Sequence, residues 1–246
     1  MKIFIINLVS AIERHKFMQD QLERLGLEYE FFPAINGREL SKEELKSKVS
    51  REWSIIYEGR ELGLAEIGCA LSHLEIYKKI IQEQIEYALI LEDDAWITPS
   101  INMVLKNIEE QKWGNMAEVI LLSDGCKYGK YIINNHEYYS LFEVKGGYNA
   151  HAYIITQKGA QKLYDVLTPI CHVADCWSWI VKHNLIRIRA IRPVLVTQNR
   201  SELGSSTVIG RENIQSKKIF FWFEHKIKRA WWKILDNTHI LPYIHK

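Results

Sequence analysis

The chain is poor in cysteine and in the spacings that give cysteine a structural purpose. Its four cysteines, at 69, 126, 171 and 176, form neither the CxxC pairs of a zinc site nor the density of a secreted disulfide scaffold, so reduced thiols are expected. A membrane-spanning run is missing as well. The apolar start Ile3-Phe4-Ile5-Ile6 is cut off by Asn7, then by Glu13 and Arg14. It is too short for the apolar region of a signal peptide and far too short to cross a bilayer, which predicts a cytosolic protein. The Gly-rich turn that dinucleotide enzymes place after their first strand is absent, which argues against a Rossmann dehydrogenase. Charge of one sign is lacking overall, the formal net charge being +2, so bulk electrostatics select no partner. A disorder signature is also absent. With 47% hydrophobic residues in 246, the chain is sufficient for one large domain, or a domain with an appendage, around a substantial core.

The most informative stretch present is Tyr87-Ala88-Leu89-Ile90-Leu91-Glu92-Asp93-Asp94-Ala95. An apolar run bounded by charge predicts a buried strand of an α/β sheet, and ligands bind beyond the carboxyl ends of such strands. Three adjacent carboxylates repel one another, and solvent, a cationic side chain or a hard divalent cation relieves them. Side-chain alternation would place Glu92 and Asp94 on one face and Asp93 on the other. A solvated acidic turn is the plainer alternative.

Around this stretch the sequence alternates strand and helix signals. Ile3–Leu8 reads as a first strand, and Ser10 with Glu13 as a capping box. Ile12, Met18, Leu22 and Leu25 then follow helical spacing up to Gly26. Asn7 and Arg14, at the turn after the first strand, are candidates to meet a base or a phosphate. Tyr29–Phe32 predicts a second strand, Asn36-Gly37 a turn, and Ser41 with Glu44 a second capping box. From Leu64, the apolar positions Ile67, Leu71, Leu74, Tyr77 and Ile81 predict a helix leading into the acidic strand. Its small residues at 65, 68, 69 and 70 admit a close neighbour, either another helix or a ligand's phosphate or sugar. His73 is either a core histidine or a site residue. Glu118–Leu122 and Ala152–Thr156 predict further strands, with Ile101–Ile108 and Lys158–Leu167 as helices, the latter capped by Thr156. Residues 126–150 read as an irregular loop in which Tyr128, Tyr131, Tyr138, Tyr139 and Tyr148 are either recognition aromatics or packing beneath the loop. Asp175 reads first as a helix cap. Ile186–Ile191 and Val194–Gln198 supply closing strands, and Ser201–Ser206 a polar loop.

Four segments in this order, Ile6-Asn7-Leu8 with Arg14, Ala34-Ile35-Asn36-Gly37-Arg38, Glu66-Ile67-Gly68-Cys69-Ala70-Leu71-Ser72-His73-Leu74, and Leu89-Ile90-Leu91-Glu92-Asp93-Asp94, resemble glycosyltransferase family 25. This family comprises the lipooligosaccharide galactosyltransferases and is related to the collagen galactosyltransferases. Tyr153 to Ala160 resembles the family's Tyr-x-Ile-x-x-x-Gly-Ala element. The resemblance implies a GT-A type fold, a Rossmann-like mixed sheet flanked by helices, with a UDP-sugar donor and a divalent metal, Mn²⁺ or Mg²⁺. It implies donor-binding roles for Asn7, Leu8, Arg14, Asn36, Gly37, Gly68, Ser72, His73, Glu92, Asp93, Asn149 and His151, and metal ligation by Asp94 with Glu92. Asp175 and Asp93 are the implied candidates for the catalytic base. Relatives often carry a proline two positions before the acid at 175, where this chain has Val173.

The last forty residues differ in kind. Phe220, Phe223, Ile227, Ala230, Trp231 and Ile234 share one helical stripe, with Lys and Arg on the other side. This predicts a basic amphipathic helix within 211–246, appended to a catalytic domain over 1–210, that either meets an anionic membrane or packs on its own domain. No nucleic-acid module accompanies it. The expected activity is inverting transfer of galactose from UDP-galactose to a bacterial lipid-linked oligosaccharide at the cytosolic face of the inner membrane, in a beta linkage such as beta-1,4. The alternatives are transfer of glucose or N-acetylglucosamine, a sugar nucleotidyltransferase, and a non-catalytic glycan-binding protein.

Overall fold

A computed structural model describes residues 1–111, 116–135 and 137–199, with backbone only for 130–135. The expected C-terminal helix and the polar loop before it lie outside the described residues. The elements run β1 (Lys2–Asn7), α1 (Ile12–Leu25), β2 (Glu30–Pro33), α2 (Lys42–Lys48), α3 (Arg51–Glu58), α4 (Leu64–Gln82), β3 (Tyr87–Glu92), β4 (Ala95–Ile97) and α5 (Ile101–Glu110). They continue with β5 (Glu118–Leu121), β6 (Cys126–Asn135), β7 (Ser140–Gly147), β8 (Ala152–Thr156), α6 (Gln157–Leu167), α7 (Trp177–Lys182), β9 (Arg187–Arg192) and β10 (Val196–Gln198). Eight strands form one mixed sheet in the order β2-β1-β3-β8-β5-β9-β7-β6, and β4 pairs with β10. The expected α/β class with a mixed sheet flanked by helices is therefore observed.

Alternation along the strands builds two cores, one on each face. Phe4, Ile6, Ala88 and Ile90 pack toward Ile67, Leu71, Leu74 and Tyr77 of α4 and Leu163 of α6. Ile3, Ile5, Leu89 and Leu91 pack toward Met18 and Leu22 of α1 and Val104 and Leu105 of α5. A strand buried on both faces has no polar position to offer, which is why β3 reads as a continuous apolar run. Strand β8 lies antiparallel between β3 and β5. Its amino-terminal approach, Asn149 to His151, therefore reaches the same sheet edge as the carboxyl ends of β1, β2, β3 and β5. None of the described helices is long and apolar enough to cross a membrane.

Several local expectations are met in atomic detail. Ser41 Oγ accepts the Glu44 amide at 3.1 Å while the Glu44 carboxylate accepts the Ser41 amide at 2.9 Å. Thr156 Oγ1 accepts the Gly159 amide at the start of α6. Gly26 ends α1 with φ +66°, a left-handed conformation that favours glycine.

Others are corrected. Ser10 is not a cap: Ala11 precedes α1 and makes no side-chain cap bond. Ile12 is 76% exposed instead of facing the core. Residues 126–150 are not an irregular loop, because β6 and β7 pair as an antiparallel hairpin at the sheet edge. Register shifts between Lys127 and Asn134 break the period of two that would have announced it. Tyr139 is buried there and donates to Asn107 Oδ1 at 2.7 Å, so it packs, while Tyr138 and Tyr148 remain exposed.

Candidate active site

The carboxyl end of β3 carries three acids, each with a different set of partners. Asp93 is anchored by α1 and β1: Asn7 Nδ2 donates to its Oδ2 at 2.9 Å and Arg14 to its Oδ1 at 2.7 Å. Glu92 turns to α4 instead, its Oε1 lying 3.3 Å from His73 Nε2 and 3.7 Å from Cys69 Sγ. Asp94 lies between the two, with Arg14 3.9 Å from its Oδ2 and the Glu92 charge acting on it. The strand ends at Glu92, so Asp93 and Asp94 stand on the turn that follows it.

These surroundings have electrostatic consequences. Burial alone would raise the Glu92 carboxyl, but the His73 hydrogen bond and charge outweigh it and hold the group below the ordinary glutamate value. Burial, and then the Glu92 charge, push Asp94 up to about 6, with Arg14 opposing. Its Oδ1 is buried and has no hydrogen-bond partner among the described residues. A buried carboxylate oxygen with no donor is costly, and a bound cation would relieve that cost. The donor set therefore fits a hard divalent ion at Asp94. The Cys69 thiol is pushed far up, first by burial and then by the charges of Glu92, Asp175 and Asp94, so the acids at 92, 94 and 175 act on one spot.

Asp175 precedes α7 but does not cap it; Cys176 takes the cap position with no side-chain bond. The Asp175 carboxylate accepts the Asn149 backbone amide at 2.9 Å across the edge. Asn149 has φ +73°, donates from Nδ2 to Asp124 at 3.1 Å, and its carbonyl accepts the Trp177 indole N–H. His151 is buried, its Nε2 3.9 Å from Asp124 Oδ1, and its carbonyl accepts the Glu92 amide.

The remaining expected site residues have structural partners. The neighbour that approaches the small-residue face of α4 is the turn at 35–37. A Cβ on Gly68 would stand 2.4 Å from the Ile35 carbonyl oxygen, and one on Gly37 1.8 Å from that of Leu64. Ser72 Oγ accepts the Ile35 amide at 2.8 Å and donates to the Gly68 carbonyl at 2.7 Å. Asn36 donates to Glu39 and accepts from the Arg38 amide at the turn's surface. The Leu8 carbonyl accepts the Ala11 amide, closing the turn into α1. Thus Gly37, Gly68 and Ser72 hold the turn against α4, while Asn7, Arg14, His73, Glu92, Asp93 and Asp94 converge on the strand end.

Beside Asn7 lies an open cleft lined also by Val9, Ile12, His15, Phe31 and Pro33. His15 stacks on Phe31 at 3.6 Å between ring centroids, and Val9 and Ile12 present apolar side chains to solvent. The sequence reading missed this wall. Exposed apolar residues in the β1–α1 turn were the available signal, but helical spacing had drawn Ile12 into the core.

Comparison with known proteins identifies the family. Over 169 residues the chain is 33% identical to a glycosyltransferase 25 family member of Drosophila melanogaster, covering 66% of this chain and 27% of that protein. It is 39% identical over 100 residues to a glycosyltransferase 25 family member of Aedes aegypti, covering 39% and 16%. It is 26% identical over 170 residues to procollagen galactosyltransferase 1 of Danio rerio, covering 66% and 28%. The chain thus spans little more than a quarter, at most, of the length of these relatives. Residues 1–178 match the family described as glycosyltransferase family 25 (LPS biosynthesis protein), and with that match over most of its length the chain belongs to glycosyltransferase family 25.

Proposed function

We propose that the protein transfers galactose from UDP-galactose to a sugar acceptor on a lipid-linked bacterial glycan, with inversion at the anomeric carbon. Galactose is favoured by the galactosyltransferase named among the relatives, and the glycan acceptor by the family's description as LPS biosynthesis proteins. The observation that carries the proposal is the acidic end of β3, with the partnerless Asp94 Oδ1, beside a cleft with stacked rings and apolar walls.

In this reading the cleft between β1, α1 and β2 receives the base of the donor, on Phe31 and His15 and against Val9 and Ile12. Asn7 and Arg14 hold Asp93 rigid. Asp94, assisted by Glu92 or Asp93, would hold Mn²⁺ or Mg²⁺. Such an ion supplies charge stabilisation for the departing diphosphate. The acceptor hydroxyl needs a carboxylate to take its proton as it attacks. Asp93 has both oxygens engaged by Asn7 and Arg14, so Asp175, oriented through one oxygen by the Asn149 amide, is the better base. The basic segment at 216–235 would keep the enzyme at an anionic membrane surface on the cytosolic side of the inner membrane.

The test is a panel of nucleotide sugars incubated with purified protein and manganese, with and without chelator, first alone and then with oligosaccharide acceptors. UDP release and product formed from UDP-galactose alone, and lost with chelator, are expected. Release of pyrophosphate would instead make the protein a nucleotidyltransferase. Glycan binding without turnover of any donor, even with acceptors, would reduce it to a binding protein.

A further inference from the structure

Cys69, His73 and Glu92 bring their donor atoms within 4.8 Å of one another. Cys69 and His73 stand one turn apart on α4, so sulfur and imidazole leave the same helix face, and β3 delivers Glu92 to meet them. Nε2 of His73 and Sγ of Cys69 lie 3.3 and 3.7 Å from Glu92 Oε1. A tetrahedral ion with bonds of about 2.0–2.3 Å to N, O and S sets those atoms about 3.3–3.6 Å apart. Two edges of such a tetrahedron are therefore already close to size, and the sulfur–nitrogen edge is within 4.8 Å.

The outer shell fits as well. His73 Nδ1 is 2.6 Å from the Tyr153 hydroxyl, which is 2.8 Å from that of Tyr77. With Nδ1–H donating to Tyr153, the Nε2 lone pair faces Glu92 and Cys69, and a hydrogen-bonded second nitrogen of this kind orients a metal-bound histidine. The negative charges of Glu92, Asp94 and Asp175 all reach Cys69, whereas Arg14 bonds to Asp93, on the side away from α4.

We propose that Cys69, His73 and Glu92 form a three-ligand site for a borderline-soft divalent ion, zinc above all, with its fourth position open to water. Thiolate and imidazole select such an ion over manganese or magnesium, and with Glu92 taken up here the acid that assists Asp94 at the hard-cation position is Asp93. Binding releases to solvent the thiol proton and the Nε2 proton that His73 shares with Glu92 in the metal-free protein, and leaves the imidazole proton on Nδ1. The bound ion ties the end of β3 to α4. The inference does not depend on the donor sugar or on transfer, because its readout needs neither.

The experiment uses the full chain, stripped of metal by chelator and titrated with cobalt(II) alone as a spectroscopic stand-in. One equivalent is expected to give the intense visible bands of tetrahedral cobalt and a near-ultraviolet thiolate charge-transfer band, both bleached by zinc. Cys69→Ser should abolish the charge-transfer band, and Cys126→Ser should keep it. Tyr153→Phe, which leaves the ligands in place, should weaken cobalt binding about 10-fold. Absence of these bands in the unaltered chain, or an unchanged charge-transfer band in Cys69→Ser, overturns the proposal. Should Cys69→Ser fail to fold, alkylation of the unaltered chain decides: zinc must slow modification of Cys69, and equal rates with and without zinc overturn it.

Discussion

Asp94 is the carboxylate least well served by its surroundings. In the metal-free protein its carboxyl is held from the ordinary aspartate value of 3.8 up to about 6. The native state therefore binds this proton more tightly than the unfolded chain, and stability falls as pH rises from about 4 to about 6 and stays lowered above that. At about 1.4 kcal/mol per pH unit, the ionised group costs roughly 3 kcal/mol at neutral pH. Asp94→Asn should consequently abolish transfer yet unfold at higher urea than the unaltered protein, by about 1–3 kcal/mol at pH 7.5 and by much less at pH 4. Equal urea midpoints at both pH values would contradict the assignment. Asn149 makes the complementary case. Its positive φ is tolerated by Asn and Gly, so Asn149→Gly should preserve the fold, whereas Asn149→Val should lower stability by about 1–2 kcal/mol in the same assay. The three acids were legible in the sequence as a charge cluster at a strand end. Their separate partners were not, because Arg14 lies 79 residues from Asp93 and His73 19 residues from Glu92, and local spacing does not encode such meetings.

Helix α4 works through two stripes. Gly68 and Ser72 face the turn at 35–37, and Cys69, His73 and Tyr77 face β3 and β8. A side chain at Gly68 meets backbone atoms on the turn, which cannot rotate away. Gly68→Ala is therefore expected to destabilise by about 1–3 kcal/mol and to weaken nucleotide-sugar binding by displacing the turn; thermal denaturation and a binding isotherm read the two effects. A smaller loss is expected at α6. There Thr156 caps the helix and also donates to the Met116 carbonyl, so Thr156→Ala should lower stability by about 1–2 kcal/mol in urea unfolding. The caps at Ser41 and Thr156 were readable because a cap is a matter of three neighbouring residues, whereas those read at Ser10 and Asp175 are not formed. The β6–β7 hairpin was not, since register shifts and interspersed glycines hide its alternation. Helix α3 was also missed. Its apolar stripe is short, Trp53 stacking on Tyr57 one turn on, and only Ser54 is fully buried.

Across the whole molecule the sheet is held by apolar burial on both faces, with one ion pair set within it. Glu118 of β5 and Arg189 of β9 are both buried and bonded to each other on adjacent strands. Removing one partner strands a buried charge, so Arg189→Met should lower stability by about 3–5 kcal/mol. The double variant Glu118→Leu with Arg189→Met should recover most of the loss. Urea denaturation of the three proteins distinguishes this from simple additivity. Strand existence was largely legible from apolar runs, but strand order was not, because nothing local in Ala152–Thr156 reveals that it inserts antiparallel between β3 and β5. That insertion has a consequence for synthesis. Until Thr156 has left the ribosome, β3 is complete but lacks one neighbour, and its unpaired backbone edge belongs to a strand that is apolar on both faces. A chain stalled or cleaved within 93–151 would therefore display an adhesive strand edge, and its handling by chaperones matters most during that interval of translation.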